Sequence, residues 1–141
     1  MNRMKVLFVG LLAVGGLVTL ARAGSEDKLT VNTAPPVVIK TVPVSGDTQV
    51  NASTTKEIRV TFSKPMRDGN WSWVTASDDT TLPIEGKPRF DKDGKTCIVK
   101  VDLKPGRTYA TWLNSQEFQN FRDKDGHPAV WYLLIFETKA E

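Results

Sequence analysis

The stretch Glu57-Ile-Arg-Val-Thr-Phe-Ser-Lys-Pro-Met66 constrains the chain more than any other. Ile58, Val60 and Phe62 alternate with Glu57, Arg59 and Thr61, so an extended backbone here has one apolar side and one polar side. That period of two predicts a half-buried β-strand rather than an amphipathic helix. Pro65 stops the strand, because proline has no N–H to give to a ladder. A single strand cannot bury its own face, so the remaining chain must supply a second layer. Phe62 is expected between the layers, Arg59 on the wet side, and Pro65 and Met66 at the strand's exit.

The rest of the sequence supplies such strands. Val37-Val-Ile-Lys40 is a short one, which Pro43 restricts to a sheet edge or to a switch between sheets. Trp71-Ser-Trp-Val-Thr-Ala76 resumes β character with Trp71 and Trp73 on one face. Thr81-Leu-Pro-Ile84 and Pro88-Arg-Phe-Asp91 read as two short pieces around Gly86, and Asp91-Lys-Asp-Gly94 as a hairpin turn. Thr96 to Leu103 alternates Cys97, Val99, Val101 and Leu103 against Ile98, Lys100 and Asp102. Thr108-Tyr-Ala-Thr-Trp-Leu113 and Trp131-Tyr-Leu-Leu-Ile-Phe-Glu-Thr138 complete the set, the last apolar on both faces. Turn signals recur often enough for an all-β sandwich.

The N-terminus carries a different signal. Met-Asn-Arg-Met-Lys5 is a basic start, Val6 to Leu20 is uncharged and largely apolar, and Ala21-Arg-Ala23 is a small-x-small cleavage site. Residues 1–23 are therefore expected to be a cleavable export peptide, since the apolar run is shorter than the roughly 20 residues a bilayer span requires. Residues 24–36 read as a flexible leader and 37–139 as one sandwich domain. The chain has 19 Lys+Arg and 16 Asp+Glu, and Arg3, Lys5 and Arg22 all fall in the export peptide. Without them 16 basic groups face 16 acidic ones, so the basic balance of the whole chain gives no warrant for nucleic acid or an anionic membrane as a partner. Cys97 is the single cysteine. No internal disulfide can form, and the alternation sends Cys97 inward as a small hydrophobe.

Leu103-Lys-Pro-Gly-Arg-Thr-Tyr109 ends one strand, reverses at Pro-Gly and opens the next with a tyrosine. A tyrosine at this corner of an immunoglobulin-type sandwich bonds back to upstream backbone, a role expected of Tyr109. Ala34-Pro-Pro-Val-Val38, Pro43-Val-Ser-Gly-Asp47, the Glu57–Met66 stretch, Leu103–Tyr109, Phe121-Arg-Asp-Lys-Asp-Gly126 and Leu134-Ile-Phe-Glu-Thr138 form a series. Together they resemble the bacterial Ig-like domain of the S-layer-protein (SbsA-like) type. The resemblance implies a sandwich of about seven strands, used as a spacer, adhesion or surface-binding module of the cell envelope. It carries no catalytic residue across. Ser115 to Arg122 is an insertion relative to that pattern.

Catalytic and metal chemistry have little to work with. With His127 the one histidine and Cys97 inward, no Ser-His-Asp or Cys-His-Asn set assembles. The two Asp-Lys-Asp-Gly copies lack the further oxygen ligands of a calcium loop and read as turns. Copper-resistance proteins of the CopC type share a sandwich and a similar Phe-Ser-x-Pro strand ending. Their sites draw on several histidines, which this chain lacks. No enzyme activity, cofactor or metal is expected.

A binding or structural role is expected, with a protein or glycan of the envelope as the partner. Trp71, Trp112 and Trp131 are the candidate contacts. The alternatives are a carbohydrate-binding module using exposed tryptophan and an accessory subunit of a secreted hydrolase. Tyr132, Leu134 and Phe136 are expected to face the core, leaving Trp131, Leu133 and Ile135 outside. Asn114-Ser-Gln-Glu117 matches a helix cap, which predicts a short helix whose Phe118 and Phe121 pack over Leu133 and Ile135.

Overall fold

A computed structural model describes residues 28–141, so the expected export peptide lies outside the described residues. Seven strands run β1 (Val38–Val42), β2 (Glu57–Phe62), β3 (Trp73–Thr75), β4 (Ile84–Phe90), β5 (Thr96–Val101), β6 (Thr108–Leu113) and β7 (Tyr132–Glu137). They form two antiparallel sheets, β1-β2-β5-β4 and β3-β6-β7. This is the strand order of a constant-type immunoglobulin sandwich. Among the described residues no helix is long and apolar enough to cross a membrane.

The core lies where the alternation puts it. Ile58, Val60 and Phe62 from β2 and Cys97, Val99 and Val101 from β5 meet Tyr109, Leu113, Leu134 and Phe136 from the other sheet. Phe62 is fully buried, its ring 5.1 Å from that of Phe121. Met66 is buried at the exit of β2, while Pro65 is exposed above the β4–β5 turn, its Cβ near Gly94. Burial pushes the Cys97 thiol up to about 12, which makes it inert as a nucleophile at neutral pH.

Two connections close the sandwich. Lys104 N donates to the Tyr109 hydroxyl at 2.8 Å, the corner bond expected of that tyrosine. After Pro43 the chain leaves β2 and runs beside β7. Gly46 N donates to Ile135 O, Val50 N to Glu137 O and Glu137 N to Asp47 O, with a parallel bridge between Val50 and Thr138. The outer edge of β7 is thereby paired.

Four expectations need correction. The pieces around Gly86 form one edge strand, β4, whose register shifts between Glu85 and Arg89; Gly86 at φ 71° and Pro88 sit in that bulge. The Trp71–Ala76 strand shortens to Trp73–Thr75. Ile98, on the outward side of β5, is 2% exposed; Arg59 and Arg89 flank it in register, and the aliphatic stem of an arginine covers apolar neighbours while its head stays in water. Arg59 is thus more than a wet-face residue.

The helix over Ser115–Arg122 is absent; the one helical element described is a 3₁₀ turn at Asp78–Thr80. Asn114 explains this. It takes the left-handed conformation, φ 60°, and its buried side chain accepts from Phe121 N at 3.0 Å. Its Nδ2 donates to Phe121 O at 2.9 Å and to Ala129 O at 3.1 Å. The residue that looked like a cap instead ties the far end of the loop to the end of β6. That contact sends Phe121 into the core against Phe62 and Trp73.

Candidate functional site

The two outward faces of the sandwich differ in kind. On the β1-β2-β5-β4 side, Arg59 bonds Asp91 at 2.8 Å and Glu57 at 3.4 Å, and Arg89 bonds Glu57 at 2.9 Å. Thr61 and Thr96 hydroxyls pair at 3.1 Å. Charge pairs and hydrogen bonds cover the middle strands of this face, while Ile39 and Val42 stay exposed on its edge strand β1.

The β3-β6-β7 side has no such cover. Tyr109, Thr111 and Leu113 point inward, so Ala110 and Trp112 point out, and on β7 the outward residues are Leu133 and Ile135. The register aligns Val74, Trp112 and Leu133 across the three strands, with Ala110 beside Ile135. Trp112 is 37% exposed, Ile135 39% and Trp131 48%. From Val74 to Ile135 no outward position carries a charge; Glu137 comes only at the far end.

Phe118 and Phe121 do not cover this surface. Phe121 is inside the sandwich. Phe118 is 52% exposed and lines a groove of about 290 Å³ beside β3, with Trp71, Trp73, Val74 and Asn120. Leu133 lies two strands away from that groove. Of the candidate contacts, Trp112 lies on the bare face; Trp131 is exposed just before β7, in alternation with Leu133 and Ile135; and Trp71 is half-buried against the core and borders the groove.

The titratable groups are committed elsewhere. Asp123 is buried, its Oδ1 accepting from Asp125 N and His127 N and its Oδ2 from Lys64 Nζ and His127 Nδ1, both at 2.9 Å. Burial alone would raise its carboxyl, but the bonds from Lys64 and His127 outweigh that and hold it at about 2. Asp123, Asp125 and His127 place ligand-type atoms within 4.8 Å of one another. The Asp123 lone pairs are already taken by these donors, one of them an ammonium, which leaves the exposed Asp125 carboxylate and the second His127 nitrogen, too few ligands for a cation site. In the other Asp-Lys-Asp-Gly copy, Asp93 accepts from Lys95 N and Thr96 N and closes the β4–β5 hairpin. Cys97 and His127, the pair a thiol hydrolase would use, sit respectively in the core and in the Asp123–His127 turn.

The bacterial Ig-like domain family matches residues 32–131. The chain belongs to that family. The Ig-like fold is also similar to solved structures of the S-layer protein rSbsC and of surface layer protein SbsC, domains 1–6. The first is 18% identical with a TM-score of 0.50, over 75% of this chain and 14% of that one. The second is 19% identical with a TM-score of 0.50, over 77% and 14%. The Ig-like chain thus spans about a seventh of the solved chains it matches. No curated protein sequence matches it. Asn114 is the functional-looking residue that sequence reading misassigned, and a polar residue directly after an apolar strand end was its only trace.

Proposed function

We propose that this Ig-like domain is an exported, non-catalytic structural module of the bacterial cell envelope, which holds an envelope component against the outward face of β3-β6-β7. The observation that carries the reading is the contrast between the faces. The middle strands of one are crossed by the Arg59–Glu57–Arg89 network, with Ile39 and Val42 exposed only along its β1 edge, whereas the middle of the other leaves Trp112 in water beside Ile135. An exposed indole beside aliphatic side chains on an uncharged sheet face supports a small contact surface. The basic, apolar and small-residue segments of residues 1–23 support export, and the family membership and the S-layer fold neighbours support an envelope setting.

The test is cosedimentation of the purified protein with envelope fragments. Wild type and Arg59→Ala, altered on the charge-paired face, should pellet with the fragments. A Trp112→Ala, Trp131→Ala double variant with an unchanged melting curve should stay in solution. Equal pelleting of all three proteins would overturn the reading.

A further inference from the structure

The bare face has a size and a chemistry that narrow what can sit on it, and the inference here rests on the reading just given. We propose that its ligand is an uncharged polysaccharide strand, stacked on Trp112 and Trp131 and hydrogen-bonded by the amides at the groove end.

Size argues against a protein partner. Three strands spaced about 4.8 Å apart, with outward residues over one strand length, make a platform on the order of 200–300 Å². A stable protein–protein interface needs about 800 Å² from each partner. Addition of a peptide strand at the sheet edge is also poorly served. The β7 edge is already paired with Ser45–Val50, and β3 offers only Trp73–Thr75. A narrow polymer lying along the platform needs neither a large area nor a long edge.

Charge argues for a neutral one. No cation stands among the outward positions to balance a polyanion, and no carboxylate lies there to attract a cationic chain before Glu137. Indole faces instead match the C–H faces of sugar rings, which carry the small positive charge that a π-cloud attracts. Hydroxyls at the ring edges need partners that both donate and accept, as amides do. The fringe next to the groove provides them. Asn70 Nδ2 reaches Asn120 Oδ1 at 3.3 Å and Gln119 Nε2 reaches Gln116 O at 3.4 Å, long bonds that leave capacity for a ligand. Glu117, in the same loop as Gln116 and Gln119, is exposed.

The experiment repeats the cosedimentation with envelope fragments treated beforehand. One portion is oxidised with periodate, which opens sugar diols, then quenched and washed; a second is digested with protease and washed; a third is left intact. The tryptophan-dependent binding should fall about tenfold or more on periodate-treated fragments, a loss of about 1.4 kcal/mol in binding. It should persist after protease and in high salt. Binding that survives periodate but not protease would overturn the glycan while leaving the face as the contact surface. Binding abolished by high salt would show a charged polymer and overturn the neutral one. Equal binding by wild type and the tryptophan variant on every portion would remove the face reading itself, and the glycan with it.

Discussion

Single residues fasten this sandwich at places where its strands alone would leave backbone unpaired. The Tyr109 hydroxyl takes the Lys104 N–H at the turn between β5 and β6. Tyr109→Phe keeps the ring, which packs 5.7 Å from Phe136, and removes only that acceptor. Urea melts should show a loss of roughly 1–2 kcal/mol, the cost of a half-buried donor left without a partner; a variant melting with the wild type would reduce Tyr109 to packing. Asn114 makes three buried bonds to the returning loop. Asn114→Ala should cost more than the tyrosine change, about 3 kcal/mol, because the Ala129 carbonyl and the Phe121 N–H are orphaned together, while Phe121 O keeps only its bond from Ala129 N. Asn114→Asp should not rescue it, since a carboxylate cannot donate to Phe121 O and Ala129 O. Rescue by aspartate, read in the same melts, would mean that the left-handed backbone matters more than the amide.

Among the elements, β2 shows how each face of a strand has its own energetics. Phe62 lies between the sheets against Phe121, so Phe62→Ala should cost about 3–5 kcal/mol through lost burial and a cavity. On the opposite face Arg59→Ala should cost about 1 kcal/mol, chiefly because Ile98 loses its cover. Arg59→Met keeps the stem and should stay near wild type in chemical melts. If methionine and alanine lose equally, the ion pairs and not the stem account for the residue. Alternation is a local property, which is why β2, β5, β6 and β7 and their inward residues are legible in the sequence. Where the meaning of a residue depends on a partner far along the chain, legibility ends. Ile98 is read as outward and wet because Arg59 and Arg89 come from other strands. Asn114 is read as a cap because Phe121 and Ala129 lie beyond the pattern that a cap motif uses. The bare face is legible as two apolar sides of β7, but the lack of a cover follows from the path of the loop, which the sequence pattern does not contain.

Across the whole molecule, one buried ion pair joins parts distant in the chain. Lys64, just past β2, donates to Asp123 Oδ2 at 2.9 Å and to Asn32 O at 2.8 Å, so it ties the segment before β1 and the turn before β7 to the same corner. The Asp123 carboxyl is held at about 2 in the folded protein against an ordinary 3.8. A group whose pKa is depressed by folding stabilises the fold fully above its unfolded value, and that contribution is lost as pH falls through the folded one. The window here runs from about pH 4 down to about pH 2, and the difference corresponds to roughly 2 kcal/mol. Urea midpoints should therefore decline across that window in the wild type. Asp123→Asn should be less stable at neutral pH, because it leaves the Lys64 ammonium, 14% exposed, without its counter-charge. Its midpoints should also decline less than the wild type's between pH 4 and pH 2, the two proteins converging in acid. Parallel acid curves for wild type and Asp123→Asn would show that other carboxylates govern the acid response and that this corner contributes no net stability.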